Sequence, residues 1–337
     1  MGLIFSMLTA CVCGVLIASA VISIGKIVIS KISDFSNNQA SIIIAQATST
    51  ENSIENEPDT SYIEEADQDP SFVSRFSRVF IYSADNGKEI IESAKNSLPK
   101  TVQVKVSAKA YTVIDLDRNA IILEKNEEKL MPIASITKLV TAVVSKKLLN
   151  QNQSVVLTRG ALSTYGNEAR LREGEKLKVE ELLYPLLIVS SNDASEIMAQ
   201  SYPRGRKAFI QEMNNWVNSI GAYRTYFTDP SGLSARNVST AKDLSIITKW
   251  IIENEPDIFD ITLLKSKTIR THTWTNPTHF LNLTSYAGGK NGYTPEANRT
   301  SVALFRLGFQ KTLYGIILLG SATRDSDILD LLEEALQ

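Results

Sequence analysis

The sequence predicts an α+β fold, in which the first and last strands come together in one antiparallel sheet and a block of helices is inserted between them. Three observations predict it. Residues 101–123 contain short strand-like stretches, residues 135–253 have helical periodicity, and residues 266–320 return to strands before a closing helix at 327–336. The 337 residues, 43% of them hydrophobic, are enough for one large domain and additional segments.

The strands are predicted from alternation and from turns. Residues 102–106 alternate between apolar and polar side chains, as a half-buried strand does. Residues 111–116 and 121–123 follow as strands around a hairpin turn at 117–119. Later strands are expected at 266–273, 281–283, 300–309 and 313–320.

The helices are predicted from apolar periodicity and from their ends. Asn192 or Asp193 is expected to cap the third helix, Gly221 to end the fourth, and Pro256 to follow the fifth. The expected helices before the final strands are 135–149, 179–189, 192–201, 207–220 and 240–253.

Composition excludes several classes of function. The net charge of −2 does not point to nucleic acid, which usually requires a basic face, so no nucleic-acid partner is expected. Both cysteines, Cys11 and Cys13, lie in the first apolar stretch, which leaves no disulfide framework, thiolate metal site or cysteine nucleophile in the remainder. His272 and His279 have no accompanying acidic or cysteine cluster, which favours surface or strand histidines over a metal site or a Ser-His-Asp triad.

Residues 1–30 are predicted to be a transmembrane anchor or an uncleaved signal. Residues 2–25 carry no charge and are long enough to span a bilayer. A cleaved signal (secreting the domain) and a lipoprotein, with Leu-Thr-Ala-Cys at 8–11, are the alternatives. Lys26 and Lys31 follow the apolar run and weakly favour a cytoplasmic remainder, against the extracytoplasmic domain that we expect.

Three further segments follow the anchor. Residues 31–70 are predicted to be a flexible acidic linker, because residues 51–69 contain eight acidic side chains and no basic one. Residues 71–100 regain apolar content and are predicted to be a short helical connector. Residues 101–337 are the predicted main domain.

Three short motifs stand out, and none is specific alone. Ser135 and Lys138 form Ser-x-x-Lys at the start of a predicted helix, where i and i+3 side chains share a face and free N–H groups can stabilise an oxyanion. The same spacing occurs elsewhere, for example at Ser239 and Lys242. Ser-Ser-Asn at 190–192 could be a helix cap, and Gly-Gly-Lys-Asn-Gly at 288–292 a turn.

Together these motifs resemble the D-alanyl-D-alanine carboxypeptidase and endopeptidase group of penicillin-binding proteins, in the serine β-lactamase-like superfamily. The resemblance covers about residues 105–322 and includes Pro-Ile-Ala-Ser-Ile-Thr-Lys-Leu at 132–139, Asp-Pro-Ser-Gly-Leu at 229–233 and Lys-Asn-Gly-Tyr-Thr at 290–294. It implies a β-lactamase/transpeptidase-like fold with a five-stranded antiparallel sheet. The implied ligands are peptidoglycan stem peptides and, as covalent inhibitors, β-lactams, without a metal or organic cofactor.

The resemblance also implies catalytic roles. Ser135 would attack the carbonyl of a D-Ala-D-Ala bond or D-Ala cross-link and form an acyl-enzyme. Lys138 would take the serine proton, which requires that burial and the charge of Lys290 lower its pKa. Ser190 would relay protons to the leaving group.

The implied substrate-binding residues are Asn192, Lys290, Asn291, Gly292 and Tyr293. Asn192 would bond the substrate amide and orient the general base, and Lys290 would attract the substrate carboxylate. Asn291 and Gly292 would flank the bound peptide, and the N–H of Tyr293 would form the oxyanion hole with that of the nucleophile.

One position departs from the family pattern and leaves alternatives open. Asn291 stands where the family has Thr, and a longer, planar amide could change substrate preference or activity. Carboxypeptidase and endopeptidase activity both stay open. A catalytically inactive wall-binding module is the alternative from another class. A β-lactamase is disfavoured because residues 193–289 lack the Glu-x-x-Leu-Asn run that carries the deacylating glutamate, and a glutaminase of this fold class is a more remote alternative.

Overall fold

The computed structural model describes residues 104–166 and 168–336. The predicted anchor, acidic linker and connector lie outside the described residues and stay predictions. Within the described ranges, no helix is long and apolar enough to cross a bilayer.

The main elements follow the predicted order of strands, then helices, then strands and a final helix. In chain order the strands are β1 (Ala110–Asp115), β2 (Ala120–Lys125), β3 (Met131–Pro132), β4 (Ser154–Val156), β5 (Lys176–Lys178), β6 (Val238–Ser239), β7 (Ser266–Ile269), β8 (His272–Thr275), β9 (Tyr286–Thr294), β10 (Asn298–Leu307) and β11 (Thr312–Ser321). The α-helices are α1 (Thr137–Leu148), α2 (Val179–Ile188), α3 (Asn192–Ser201), α4 (Gly205–Ser219), α5 (Ala241–Asn254), α6 (Asp257–Thr262) and α7 (Arg324–Ala335).

A five-stranded antiparallel sheet organises the domain, with the spatial order β2-β1-β11-β10-β9. Strands from both ends of the domain meet where β1 pairs with β11, with Val113 opposite Ile316. This arrangement confirms the predicted sheet and the inserted helical block. It also leaves β9 at one edge, with a hydrogen-bonding side free of any strand in this sheet.

The sheet is covered on both faces. Ile316 and Leu318 pack in a cluster with the apolar side of α7, whereas Ile317 and Leu319 pack in a second cluster with the inserted helices. Successive strand residues point to opposite faces, so a continuous apolar run serves both layers. Each fully buried large aliphatic side chain contributes roughly 1.5–3 kcal/mol to folding.

Several local predictions were confirmed. The hairpin turn at 117–119 joins β1 to β2, with Asn119 in the left-handed region at φ 55°. Gly221 follows α4 with φ 91°, and α5 ends at Asn254, before Pro256.

Other local predictions were wrong. Residues 104–106 are not a strand, because the chain there leads into Ser107, which bonds Asp327 of α7. Residues 281–283 fall largely in a 3-10 helix (His279–Asn282) whose Phe280 packs edge-on against Phe305. The stretch 266–273 turns at Arg270 (φ 53°) into the β7–β8 hairpin. The cap of α3 is Ser191, not Asn192 or Asp193.

Candidate active site

The predicted nucleophile lies on a tight turn. Ser135 is the middle residue of a 3-10 turn (Ala134–Ile136) that runs directly into α1. Ala134 has φ 49°, a left-handed conformation that is uncommon outside glycine. Glycines pack against this turn from two sides. A Cβ atom on Gly232 would lie 2.0 Å from the Ala134 carbonyl oxygen, and one on Gly292 would lie 2.7 Å from the Ser135 nitrogen.

Lys138 lies one turn further along α1 and is fully buried. Its Nζ atom bonds three oxygens, namely Ser135 Oγ at 2.8 Å, Asn192 Oδ1 at 2.7 Å and the Ser231 carbonyl at 2.8 Å. The amide and carbonyl oxygens can only accept hydrogen bonds. A neutral lysine that keeps both bonds must therefore direct its lone pair at Ser135 Oγ, which orients the serine hydroxyl hydrogen toward Lys138.

The surroundings favour that neutral form. Burial, reinforced by the positive charge of Lys290, holds the pKa of Lys138 well below its ordinary value, while Glu168 and Asp229 act in the opposite direction. Loss of water penalises the ammonium more than the amine, and a nearby like charge adds to that penalty. Lys138 thus has the geometry of a general base and a pKa that is shifted in the direction such a role requires.

Asn192 holds its amide in a defined orientation at the start of α3. Its Nδ2 atom donates to the Tyr165 carbonyl at 2.8 Å, which leaves Oδ1 facing Lys138. Ser190, in the break between α2 and α3, has φ 59° and bonds Lys290 from β9, with 2.9 Å between Oγ and Nζ. The same Nζ atom bonds the Asn291 carbonyl at 2.8 Å.

Edge strand β9 lies beside the predicted nucleophile. The close approach of Gly292 to the Ser135 nitrogen brings the strand's backbone next to the turn, where the N–H groups of Ser135 and Tyr293 are predicted to form the oxyanion hole. The Tyr293 side chain is 49% exposed beside Arg299. Asn291 is half-buried, and its Oδ1 atom accepts a 2.8 Å hydrogen bond from Ser301 on β10.

The structure therefore brings all eight predicted residues to one junction between α1, the α2–α3 break and β9. Sequence reasoning missed the backbone and supporting partners. The Ser231 carbonyl is held by its loop, in which the Asp229 carboxylate accepts from the N–H groups of Ser231, Gly232 and Ser234. Asp-Pro-Ser-Gly-Leu at 229–233 was a visible signal, but a carbonyl and the Tyr165 oxygen leave no side-chain signature.

The two histidines lie outside this cluster. His272 is on β8, where its Nε2 atom is 2.9 Å from Glu175 and its ring stacks on Trp274. His279 is 3.7 Å from Asp325. Across residues 104–166 and 168–336, no three His, Cys, Asp or Glu side chains are grouped as a metal ion requires.

Comparison with known proteins identifies the family to which this chain belongs. Residues 95–311, more than half of the chain, match the D-alanyl-D-alanine carboxypeptidase family. A D-alanyl-D-alanine endopeptidase of Pseudomonas aeruginosa is 34% identical over 154 residues, 45% of this chain and 49% of the relative. A D-alanyl-D-alanine endopeptidase of Escherichia coli is 32% identical over 219 residues, which are 63% of this chain and 68% of the relative. The matched region thus spans about half to two thirds of these relatives.

A solved structure supports the same family. Penicillin-binding protein D2 of Listeria monocytogenes, determined with ampicillin bound, superposes with a TM-score of 0.61 at 27% identity and covers 69% of this chain and 99% of that one. The resemblance and the implied β-lactamase/transpeptidase-like fold are confirmed. This chain belongs to the D-alanyl-D-alanine carboxypeptidase family.

Proposed function

We propose that the protein is a serine peptidase that hydrolyses the D-Ala-containing bonds of peptidoglycan stem peptides through an acyl-enzyme on Ser135. One observation carries the proposal: Ser135 Oγ lies 2.8 Å from a buried lysine whose other two partners can only accept hydrogen bonds. That arrangement directs the serine proton at a base that is ready to take it.

Acylation follows from this arrangement. As Ser135 Oγ attacks the carbonyl carbon, its proton passes to neutral Lys138, and the oxyanion is held by the N–H groups of Ser135 and Tyr293. The hydroxyl oxygen of Ser190 accepts a hydrogen bond from Lys290, so the hydroxyl hydrogen of Ser190 is available to the departing amine. As Ser190 gives up this proton, Lys138 passes the proton taken from Ser135 to Ser190. The C–N bond breaks, the amine leaves, and Ser135 becomes an ester.

Deacylation uses the same groups. A water molecule loses a proton to Lys138 and attacks the ester carbonyl, and Ser135 leaves with that proton, which restores the free enzyme. Asn192 keeps one Nδ2 hydrogen and one Oδ1 lone pair for the substrate amide, because its other hydrogen-bonding positions are used by Tyr165 and Lys138. The peptide would lie along the open edge of β9, beside Asn291 and Gly292.

The choice between carboxypeptidase and endopeptidase is a question about the leaving group. The family is described by carboxypeptidase activity, whereas the relatives at 34% and 32% identity are named endopeptidases. We therefore propose cross-linked stem peptides as the first substrate to test and uncross-linked peptides ending in D-Ala-D-Ala as the second. Chromatography of both muropeptide classes after incubation separates the two activities.

We also propose a location. An anchor at 1–30, a linker at 31–70 and a connector at 71–100 would hold the domain at 101–337 outside the cytoplasm, where its polymer is. Protease added to intact cells without an outer membrane, or with a permeabilised one, should then degrade the domain. Protection of the domain under conditions that degrade a known external protein would contradict this location.

The function is tested by acylation with a labelled penicillin followed by peptide mapping. We expect label on Ser135 that is lost in Ser135→Ala and kept in Ser239→Ala, a control serine that also precedes a lysine by three residues. A folded protein that takes up no label would favour the inactive wall-binding module. Rapid release of hydrolysed penicillin without peptide hydrolysis would instead indicate a β-lactamase.

A further inference from the structure

Asn291 and Ser301 form a cross-strand pair beside the predicted catalytic residues. The register of β9 and β10 places them directly opposite each other, and directly opposed residues project from the same face of an antiparallel pair. Ser301 is completely buried, and its Oγ atom lies 2.8 Å from Asn291 Oδ1. Asn291 itself is only half-buried, and it lies on β9, the edge strand of the sheet.

The hydroxyl of Ser301 selects one orientation of the amide. With Ser301 donating to Oδ1, the hydroxyl hydrogen and the amide oxygen are both satisfied. In the reversed orientation Nδ2 would donate to Ser301 Oγ, and the hydroxyl hydrogen would need a second acceptor. Among the described residues no such acceptor bonds Ser301 Oγ, and a buried donor without a partner is costly. The observed orientation is therefore the stable one.

That orientation determines what the site offers to a ligand. The two arms of a carboxamide diverge, so an Oδ1 atom directed at β10 turns Nδ2 away from β10, toward the open side of β9. A donor at this edge attracts a carboxylate, whereas the reversed amide would present an oxygen and repel it. Lys290, the preceding residue, adds a positive charge on the opposite face of the strand.

We propose that Ser301 is a positioning residue that holds the Asn291 carboxamide with Nδ2 outward, so that this pair recognises the carboxylate of the residue released at the scissile bond. The inference rests on the proposed function and deepens it. It assigns a specificity role to a side chain on the second strand from the edge.

The test is a double-mutant cycle read with two ligands. An acetylated tripeptide ending in D-Ala-D-Ala and its C-terminal carboxamide differ only in the group that Nδ2 would contact. The ratio of their kcat/KM values is measured for the unchanged protein, Ser301→Ala, Asn291→Thr and the double variant. Ser301→Thr, which keeps a hydroxyl, is the conservative control.

We expect Ser301→Ala to lower the carboxylate preference roughly ten-fold, as for the loss of one well-oriented bond to a charged group, and Ser301→Thr to preserve most of it. In the Asn291→Thr background the same Ser301→Ala change should leave the ratio within about two-fold, because a threonine hydroxyl needs no orienting partner. Equal losses for both peptides in both backgrounds would overturn the proposal and indicate a merely structural serine.

Failure of the proposed function is distinguishable. If no variant hydrolyses either peptide and Ser135 takes up no penicillin, the peptidase is excluded. The positioning role is then decided by the binding of the same two peptides, measured by calorimetry. A carboxylate preference that depends on Ser301 supports the role, and a preference that is absent or indifferent to Ser301 overturns it.

Discussion

Asn192 Oδ1 lies 2.7 Å from Lys138 Nζ, and the amide that carries it is fixed by a second hydrogen bond to the Tyr165 carbonyl. The proposed general base is therefore held by a neutral acceptor that does not favour the ammonium form as a carboxylate would. Burial and the charge of Lys290 lower the pKa of Lys138, and the neutral amide of Asn192 does not oppose them.

Asn192→Asp should disable the base by charge alone. A carboxylate at this distance stabilises the ammonium and raises the pKa of Lys138, and the lost Nδ2 donor also frees the side chain from Tyr165. We expect acylation by penicillin at pH 7 to slow at least roughly ten-fold and to recover at higher pH. The measurement is the acylation rate constant between pH 5 and 10, and an unshifted acid limb would contradict the assignment of Lys138 as the base.

Lys290→Gln should also shift the acid limb of the acylation rate profile, because it removes a positive charge near Lys138. Removal of a neighbouring positive charge raises the pKa of Lys138, so the acid limb of the acylation profile should shift to higher pH, in addition to any loss of plateau rate. The matched control is Lys207→Gln, which removes the charge of an exposed lysine on α4 and should leave the limb in place. A limb that moves equally in both variants would mean that net charge, not proximity, is responsible.

Gly232→Ala should disrupt the nucleophile turn. Gly232 has φ 91°, and a new Cβ would meet the Ala134 carbonyl oxygen at 2.0 Å. Gly174→Ala separates the two effects, because Gly174 has φ 82° but nothing within 4 Å of a new Cβ. Both variants should lose about 1–2 kcal/mol of stability from the left-handed conformation. Only Gly232→Ala should also lose acylation, by at least roughly ten-fold, measured in folded protein; similar acylation by both variants would refute this packing argument.

The buried carboxyl of Asp193 should destabilise the fold near neutral pH. Both its oxygens are buried without a hydrogen-bond partner among the described residues, and burial, with a contribution from Glu168, raises its pKa from 3.8 to about 6. The native state thus holds this proton more tightly than the unfolded chain, and stability falls as pH rises from about 4 to 6. Asp193→Asn should raise the free energy of unfolding by roughly 1–2 kcal/mol at pH 7 and change little near pH 3.5.

Asp325 provides the control of opposite sign. Although burial opposes the shift, the interactions with His279 and Arg324 lower the pKa of Asp325 to about 2. Its contribution to stability is present above the unfolded pKa and disappears as pH falls through about 2. Asp325→Asn should therefore destabilise the protein at pH 7. Denaturant unfolding across pH 3–8 measures both variants, and the same direction of change in both would contradict the assigned environments.

How much of the protein could be predicted depended on the range of the responsible interactions. The hairpin at 117–119 and the ends of α4 and α5 follow from local turn and cap chemistry. The sheet was predictable because apolar strands at both ends of the domain must share a core. Residues 281–283 carry the same kind of apolar signal, but the docking of Phe280 on Phe305 is a tertiary contact and determines a 3-10 helix instead.

The site shows the same division. Motif residues such as Ser135 and Lys138 carry a recognisable spacing, so their proximity could be anticipated. The Ser231 and Tyr165 carbonyls could not, because any residue has a carbonyl and only the folded loops bring these two into place. The proposed role of Ser301 could not be anticipated either, since it depends on which residue the β9–β10 register places opposite it.

The position of β11 has a consequence for folding during translation. β11 is the last strand of the described residues but the third of five in the sheet, where it joins β1 on one side to β10 on the other. A ribosome makes the nucleophile early and this joining strand late. A nascent or truncated chain that ends before Thr312 has nothing to connect its two partial sheets, so the site around Ser135 stays unassembled until β11 has been made.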